Sequence, residues 1–367
     1  MRVMKTPKSV DISITSQCNL GCKYCSDFST EEEKRKDLPY ECWEKFFEEL
    51  NRCSVLGVNI GGGEPFVRED LQELINSVKK NRMRFSIVSN GTLITDEMAS
   101  FLASTGRCSS VQISIDGSSP ESHDHFRGSG SFNGAVTGLK FLQKQNIPLG
   151  VRATIHKMNV YDLENTAHFL LEELKLPSFS TNAASHFGLC KEYADEIQLS
   201  VQERTYAMEV LLKLSQKYKN RIDAAAGPLA NAITWNAMEQ ARKENRSILP
   251  DGGYLRSCKG VFSKIAIMAD GTIVPCVQMK HIELGQVNKD SLKDLWQTHP
   301  ELTKLRTRRD IPLDSFEFCK DCDYIPYCKG NCPALAYTIT GEENHPSPDA
   351  CLKRFLEDGG KLPELRQ

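Results

Sequence analysis

Three cysteines, Cys18, Cys22 and Cys25, fall within eight residues of one another, and seven more, Cys258, Cys276, Cys319, Cys322, Cys328, Cys332 and Cys351, crowd the last third of the chain. Grouped thiols of this kind hold a metal or an iron-sulfur cluster, form disulfides, or work as a redox pair. The Cys18-x3-Cys22-x2-Cys25 loop contains Gly21 and follows an apolar run, so it can wrap one cluster. A four-iron cubane with three protein thiolates keeps one iron open for a substrate or cofactor. Two plainer readings stay open: Cys22-x2-Cys25 as a redox pair, and three cysteines with a histidine as a zinc site. Cys18 is one thiol more than a pair needs, and no histidine adjoins it, whereas Tyr24 sets a flat ring beside the sulfurs.

The later cysteines read Gly271-x4-Cys276, then Cys319-x2-Cys322-x5-Cys328-x3-Cys332-Pro333, then Cys351. Seven thiolates exceed one tetrahedral site, so two zinc sites compete with two clusters. In bacterial ferredoxins the cysteine before proline ligates the other cluster, and by that logic Cys332 crosses over. Cys42, Cys53 and Cys108 lie in or beside helix and strand patterns and read as ordinary buried thiols.

Composition narrows the choice. The chain has 367 residues, 40% hydrophobic and 26% charged, with a formal net charge of −2. That balance is of a folded protein of about two domains and gives no reason to expect nucleic acid or an anionic membrane as partner. Met1 to Pro7 lack a signal-peptide core, and no stretch nears the roughly 18 apolar residues of a membrane span. The expected compartment is a reducing cytoplasm, where disulfides are the least favoured use of the thiols.

The elements that must position the sulfurs alternate. Strands are expected at Val10–Ile14, Leu56–Ile60, Phe85–Val88, Val111–Ile115, Leu149–Ile155 and Ser178–Thr181, each β-branched or aromatic. Between them stand helical faces such as Trp43, Phe46, Phe47 and Leu50, then Leu71, Leu74, Ile75 and Val78, then Leu163, Ala167, Leu170, Leu171 and Leu174. Six β-α units predict a parallel sheet, an α/β fold of the partial (β/α)6 TIM-like barrel kind, with functional groups gathered where strands end. The Cys18 set follows the first strand. Gly61-Gly62-Gly63-Glu64-Pro65 follows the second, Ser89-Asn90-Gly91-Thr92 the third, and Ser114, Asp116 and Gly117 lie in or after the fourth. Glycines let backbone approach a ligand closely, and a carboxylate accepts from an ammonium. Residues 184–257 read as helical, and Ile265–Ile273 as a hairpin turning at Asp270-Gly271.

CxxxCxxC after a first strand with GGEP after a second resembles the radical SAM superfamily, and the later spacing is similar to its SPASM extension. Within these, the likeness is nearest to SPASM proteins of the SynChlorMet peptide cassette. The resemblance implies that S-adenosylmethionine (SAM) binds the open iron of the Cys18, Cys22, Cys25 cluster, and that an electron releases a 5'-deoxyadenosyl radical that abstracts hydrogen. It places SAM against Tyr24, Gly62, Gly63, Glu64, Ser89, Asn90, Ser114 and Arg127. It also implies two auxiliary clusters, making three [4Fe-4S] clusters in all. Cys258, Cys276 and Cys332 hold the first, with a fourth position open or filled by Cys190, and Cys319, Cys322, Cys328 and Cys351 hold the second. The implied domains are a radical SAM barrel over 1–190, a helical linker over 191–257, a SPASM domain of hairpin, loops and helices over 258–355, and a tail over 356–367.

The function expected on this footing is oxidative crosslinking, C–C, C–S or C–O, of a ribosomally made peptide at an unactivated carbon. An auxiliary cluster would accept the product radical's electron. The partners implied are the precursor peptide and an external flavodoxin- or ferredoxin-type donor. The first strand starts almost at once, so a separate protein is expected to recognise the peptide. Alternatives are radical modification or dehydrogenation of a protein side chain or small molecule, and a non-catalytic electron-transfer or redox-sensing protein. The acidic base of sulfatase-maturing members is missing, since Val277 and Gln278 follow Cys276; the base is unassigned. The runs Glu31–Lys36 and Lys304, Arg306, Arg308, Arg309 read as solvated surface, and His123, His125 and His156 carry no chemistry.

Overall fold

The burial of Val10, Ile12 and Ile14 on a strand flanked by parallel neighbours sets the first layer of the structure, a computed structural model describing residues 3–27, 36–246, 252–256, 258 and 260–364. Glu31 to Arg35 lie outside the described residues, and Lys36 is exposed. The chain forms two compact units. The first contains residues 1–115, 124–151 and 259–304; the second contains 116–123, 152–258 and 305–367.

In the first unit β1 (Ser9–Thr15), β2 (Gly57–Gly62), β3 (Arg84–Ser89) and β4 (Cys108–Ser114) run parallel in that order. β5 (Leu149–Ile155) carries the chain into the second unit, where β6 (Phe179–Ala183) and β7 (Ile222–Ala224) continue in parallel beside it. β7 lies inside the stretch expected to be helical; three residues leave no periodic trace. β8 (Lys264–Ile267) and β9 (Thr272–Val274) form the expected hairpin, closed by Asp270-Gly271 with Gly271 at φ +85°. β8 also pairs in parallel with β1, Ser9 opposite Lys264, and the two-residue β10 (Gly285–Gln286) pairs with β9. The hairpin therefore extends the first unit's sheet, which runs β10-β9-β8-β1-β2-β3-β4.

Helices α1 (Tyr40–Arg52), α2 (Leu71–Lys80), α3 (Asp96–Ser104), α4 (Pro120–Arg127) and α5 (Ser131–Lys144) follow or link these strands. α1 buries Trp43, Phe46, Phe47 and Leu50, and α2 buries Leu71, Leu74, Ile75 and Val78. Each such side chain contributes about 1.5–3 kcal/mol by leaving water. The third helical face also departs from regularity. Leu163–His168 is α-helical and Phe169–Glu173 a π turn, yet Leu163, Ala167, Leu170, Leu171 and Leu174 all stay buried. Among the described residues no helix is long and apolar enough to cross a membrane.

Candidate active site

β1, β2 and β3 of the first unit end beside one another, and their following turns meet around Cys18. At Gly62, with φ +123°, a Cβ would stand 2.3 Å from the Thr15 carbonyl, and at Gly63 one would stand 2.1 Å from that of Gln17. Gly63 N–H donates to Thr15 O (2.9 Å) and Glu64 N–H to Gln17 O (2.8 Å). The glycines thus let β2's turn clamp the chain entering the cysteine loop; the close approach is to the protein's own backbone.

Glu64 is fully buried. Its Oε1 accepts from Ser89 Oγ (2.8 Å) and Phe66 N (3.2 Å), and Oε2 from Asn90 N (2.7 Å). The carboxylate expected to face an ammonium turns inward and ties β2's turn to β3's. Burial pushes its pKa up to about 7 against these bonds and Arg127. Asn90 Nδ2 then reaches Asn19 Oδ1 (2.9 Å) and Cys18 Sγ (4.0 Å), and Leu20 N–H donates to the same sulfur (3.5 Å).

Arg127, at the end of α4, is buried with its guanidinium 5.3 Å from the Tyr24 ring centre, and its carbonyl lies 4.0 Å from Cys22 Sγ. Tyr24 meets Phe126 edge-on, and Lys23 N–H donates to Phe126 O. Ser114 ends β4 half-buried. Gln278, two residues after Cys276, donates to Ser26 Oγ (3.2 Å), while Lys280 pairs with Asp27 (3.6 Å). Asp27 is pushed up by burial, against Lys280.

Two anchors of this loop escaped the sequence reading. Asp37 accepts from Thr15 Oγ1, Ser16 N (2.8 Å) and Ser16 Oγ (3.0 Å). Arg68 forks onto Asp70 and donates to the carbonyls of Ile14 (2.8 Å) and Leu38 (3.2 Å). Neither sits in a motif; a polar residue that bonds backbone leaves no periodicity.

In the second unit, burial pushes Cys319 up to about 12, with Cys328, Cys322 and Cys351 the next causes. Cys328 and Cys351 feel Cys322 likewise, so all four thiols lie within electrostatic reach of one another. Gly330 N–H donates to Cys328 (3.4 Å), the amides of Lys353 and Arg354 to Cys351, and those of Ala334 and Leu335 to Cys332. Tyr324, between Cys322 and Cys328, donates to Glu239 Oε2 (2.7 Å).

Cys258 and Cys332 belong to this unit and share a neighbour, Arg308, which is not solvated surface but fully buried. Burial pushes its pKa down to about 10, against Cys332, Cys258 and Glu343, so it stays cationic at neutral pH. Of the same run, Arg306 is also buried while Lys304 and Arg309 are exposed. Cys276 follows β9 in the first unit. Cys190 lies buried in a short helix after β6, pushed up to about 11 by burial, its sulfur 3.9 Å from Gln198 Nε2. Gln198, Arg204, Asn231, Cys332 and Asp349 line a cavity of about 230 Å³. There Arg204 lies 5.0 Å over Trp235 and 3.6 Å from Asp349. Cys42, Cys53 and Cys108 are half-buried rather than buried.

The donor sets fit iron-sulfur groups. Backbone amides aim at Cys18, Cys328, Cys332 and Cys351, as thiolate ligands require. Among the described residues no three His, Cys, Asp or Glu side chains converge on a single-ion position.

The radical SAM superfamily profile matches residues 12–170, and the SPASM iron-sulfur cluster-binding domain profile matches 258–323; Cys328, Cys332 and Cys351 lie beyond it. The chain is 26% identical over 353 residues to an AdoMet-dependent heme synthase of Methanosarcina barkeri, covering 95% of this chain and 97% of that one. It is 23% identical over 344 residues to a PqqA peptide cyclase of Ruegeria pomeroyi, covering 92% and 85%. In fold it is similar to Streptococcus suis SuiB bound to precursor peptide SuiA, with TM-score 0.71, 17% identity, and coverage of 95% of this chain and 77% of that one.

Proposed function

We propose that this chain is a radical SAM enzyme with a SPASM domain that modifies a ribosomally made peptide by oxidative crosslinking at an unactivated carbon. The observation that supports the reading is a three-thiol loop at a strand rim together with a separate set of four thiols, Cys319, Cys322, Cys328 and Cys351, within electrostatic reach of one another. Generating a radical needs only the first. When bound, SAM and the three clusters supply hydrogen-atom abstraction and one-electron sinks.

The chain's own residues do the holding. Cys18, Cys22 and Cys25 take the first cluster; Cys258, Cys276 and Cys332, with an open place or Cys190, the second; Cys319, Cys322, Cys328 and Cys351 the third. Glu64 fixes the Phe66 and Asn90 backbone and the Ser89 hydroxyl from behind, and Ser89, Asn90, Ser114, Arg127 and Tyr24 orient SAM. Arg127, already buried and charged, suits a carboxylate. We assign 1–190 to the barrel, 191–257 to a linker, 258–355 to SPASM and 356–367 to a tail. A flavodoxin- or ferredoxin-type donor and a peptide-recognition partner complete the system, in the cytoplasm.

The likeness to a PqqA peptide cyclase and to peptide-bound SuiB supports a peptide substrate. A second reading, a tetrapyrrole substrate, draws on the heme synthase matched over 97% of its length. Anaerobic reconstituted protein with SAM and dithionite should release 5'-deoxyadenosine. Short peptides encoded beside this gene should then lose two hydrogens per turnover. Turnover of an iron porphyrin with the peptides left unchanged would replace the peptide reading with the second.

A further inference from the structure

Arg308 combines a full positive charge with complete burial, a placement that is unfavourable unless negative groups compensate it. Backbone carbonyls hold it: Nη1 donates to Arg256 O (2.6 Å) and Asn331 O (3.1 Å), and Nη2 to His345 O (3.2 Å). Carbonyl dipoles position a cation without cancelling its charge. Arg256 stands two residues before Cys258 and Asn331 immediately before Cys332, so the guanidinium is pinned to both segments that present these thiols. Its buried Nε–H finds no acceptor among the described residues. A planar donor whose Nε–H is left over, beside two thiols, matches a sulfur acceptor.

We propose that Arg308 is the fixed counter-ion of the iron-sulfur cluster held by Cys258 and Cys332, its charge and Nε–H raising that cluster's reduction potential. The inference rests on the reading that these two cysteines are cluster ligands. Physically, one-electron reduction adds a negative charge to the cluster, and a cation that cannot move or be solvated stabilises the reduced state more than the oxidised one. Arg308 is thus a positioning and tuning residue that need not touch substrate.

The test is a potentiometric EPR titration of the three-cluster protein, needing no peptide. In Arg308→Gln one cluster's reduction equilibrium should shift at least tenfold toward the oxidised form, about 59 mV for one electron, while the other two stay in place. Arg308→Lys, which keeps charge but loses the fork, should fall between. Should Arg308→Gln fail to fold, wild-type protein carrying ¹⁵N-arginine decides: pulsed EPR of the reduced protein should show a guanidinium ¹⁵N coupling to one cluster. Full iron, near twelve per chain, with all potentials unmoved or with no ¹⁵N coupling, overturns the role of Arg308 alone. Iron near eight, with no cluster lost on Cys258→Ala, overturns the ligand reading and the inference together.

Discussion

The Cys18 loop is held by residues far apart in sequence, Asp37, Gly62 to Glu64, Arg68 and Asn90, each bonding the loop or the strand that feeds it. Cys319 instead ends a short 3₁₀ turn, Cys322 lies in the loop after it, Cys328 follows a second such turn and Cys351 stands just before a six-residue helix. A loop fixed by a sheet rim has its shape before a metal arrives. Four thiols, Cys319 buried and the others half-buried, that repel one another once ionised do not, and on the proposed function metal binding there is also folding energy. On the proposed function, the difference separates a site that stays open to a changing ligand from one that is filled once.

Removing the metal should break the comparison open most widely. After anaerobic chelation, amide exchange over residues 313–351 should speed up by about 100-fold or more while β1, β2 and β3 keep their protection. Equal loss in both regions would mean that the rim is no more preformed than the turns.

The next effect is on chemistry. Gly63→Ala places a methyl 2.1 Å from the Gln17 carbonyl and must push the cysteine loop away. A displacement of about 1 Å costs on the order of 100-fold in rate, so 5'-deoxyadenosine formation should fall by about that factor. Gly61→Ala, 3.9 Å from Val88 Cβ, should leave it within about twofold, since ordinary contacts are tolerated. Similar losses in both variants would show that the clamp is not the reason for the glycines.

The rim was legible because function there follows strands, and strands announce themselves: Val10–Ile14, Phe85–Val88 and their fellows are apolar and β-branched. The thiol sets were legible by spacing alone. What escaped was non-local or unperiodic. Asp37 and Arg68 bond carbonyls and amides that any residue possesses. β8 joins β1 across some 250 positions, and nothing in Ile265–Ile273 names its partner. Arg308 sits in a charge run in which Arg306 is buried too while Lys304 and Arg309 face water, and composition cannot separate the buried members from the exposed ones.

Two carboxylates carry the comparison into pH, with opposite signs. Glu64 is pushed up to about 7 by burial. Between its unfolded pKa near 4.3 and that value the folded state binds more protons than the unfolded one, so stability falls as pH rises through this window and levels off above it. In apoprotein the loss is bounded by about 4 kcal/mol, and Glu64→Gln should abolish this slope in denaturant midpoints taken from pH 4.5 to 7.5. A slope that survives the substitution would place the titration elsewhere.

Glu239, in the second unit, is pulled down to about 2, first by Arg242, which forks onto it at 2.9 and 3.0 Å, then by Tyr324. Its contribution is present above about pH 4.3 and is lost as pH falls toward 2, because the unfolded state then binds the proton first. Arg242 and Lys243 are 37% and 68% exposed, so water screens the pairs and the whole contribution is at most about 1 kcal/mol. Tyr324→Phe isolates the partner that stands between Cys322 and Cys328. It should reduce the acid sensitivity by a few tenths of a kcal/mol and leave the Glu64 slope untouched. If the same change also speeds amide exchange around Cys322 and Cys328 in iron-loaded protein, the turns that carry those thiols draw part of their order from Glu239 as well as from metal. The contrast between the two sulfur regions would then be one of degree.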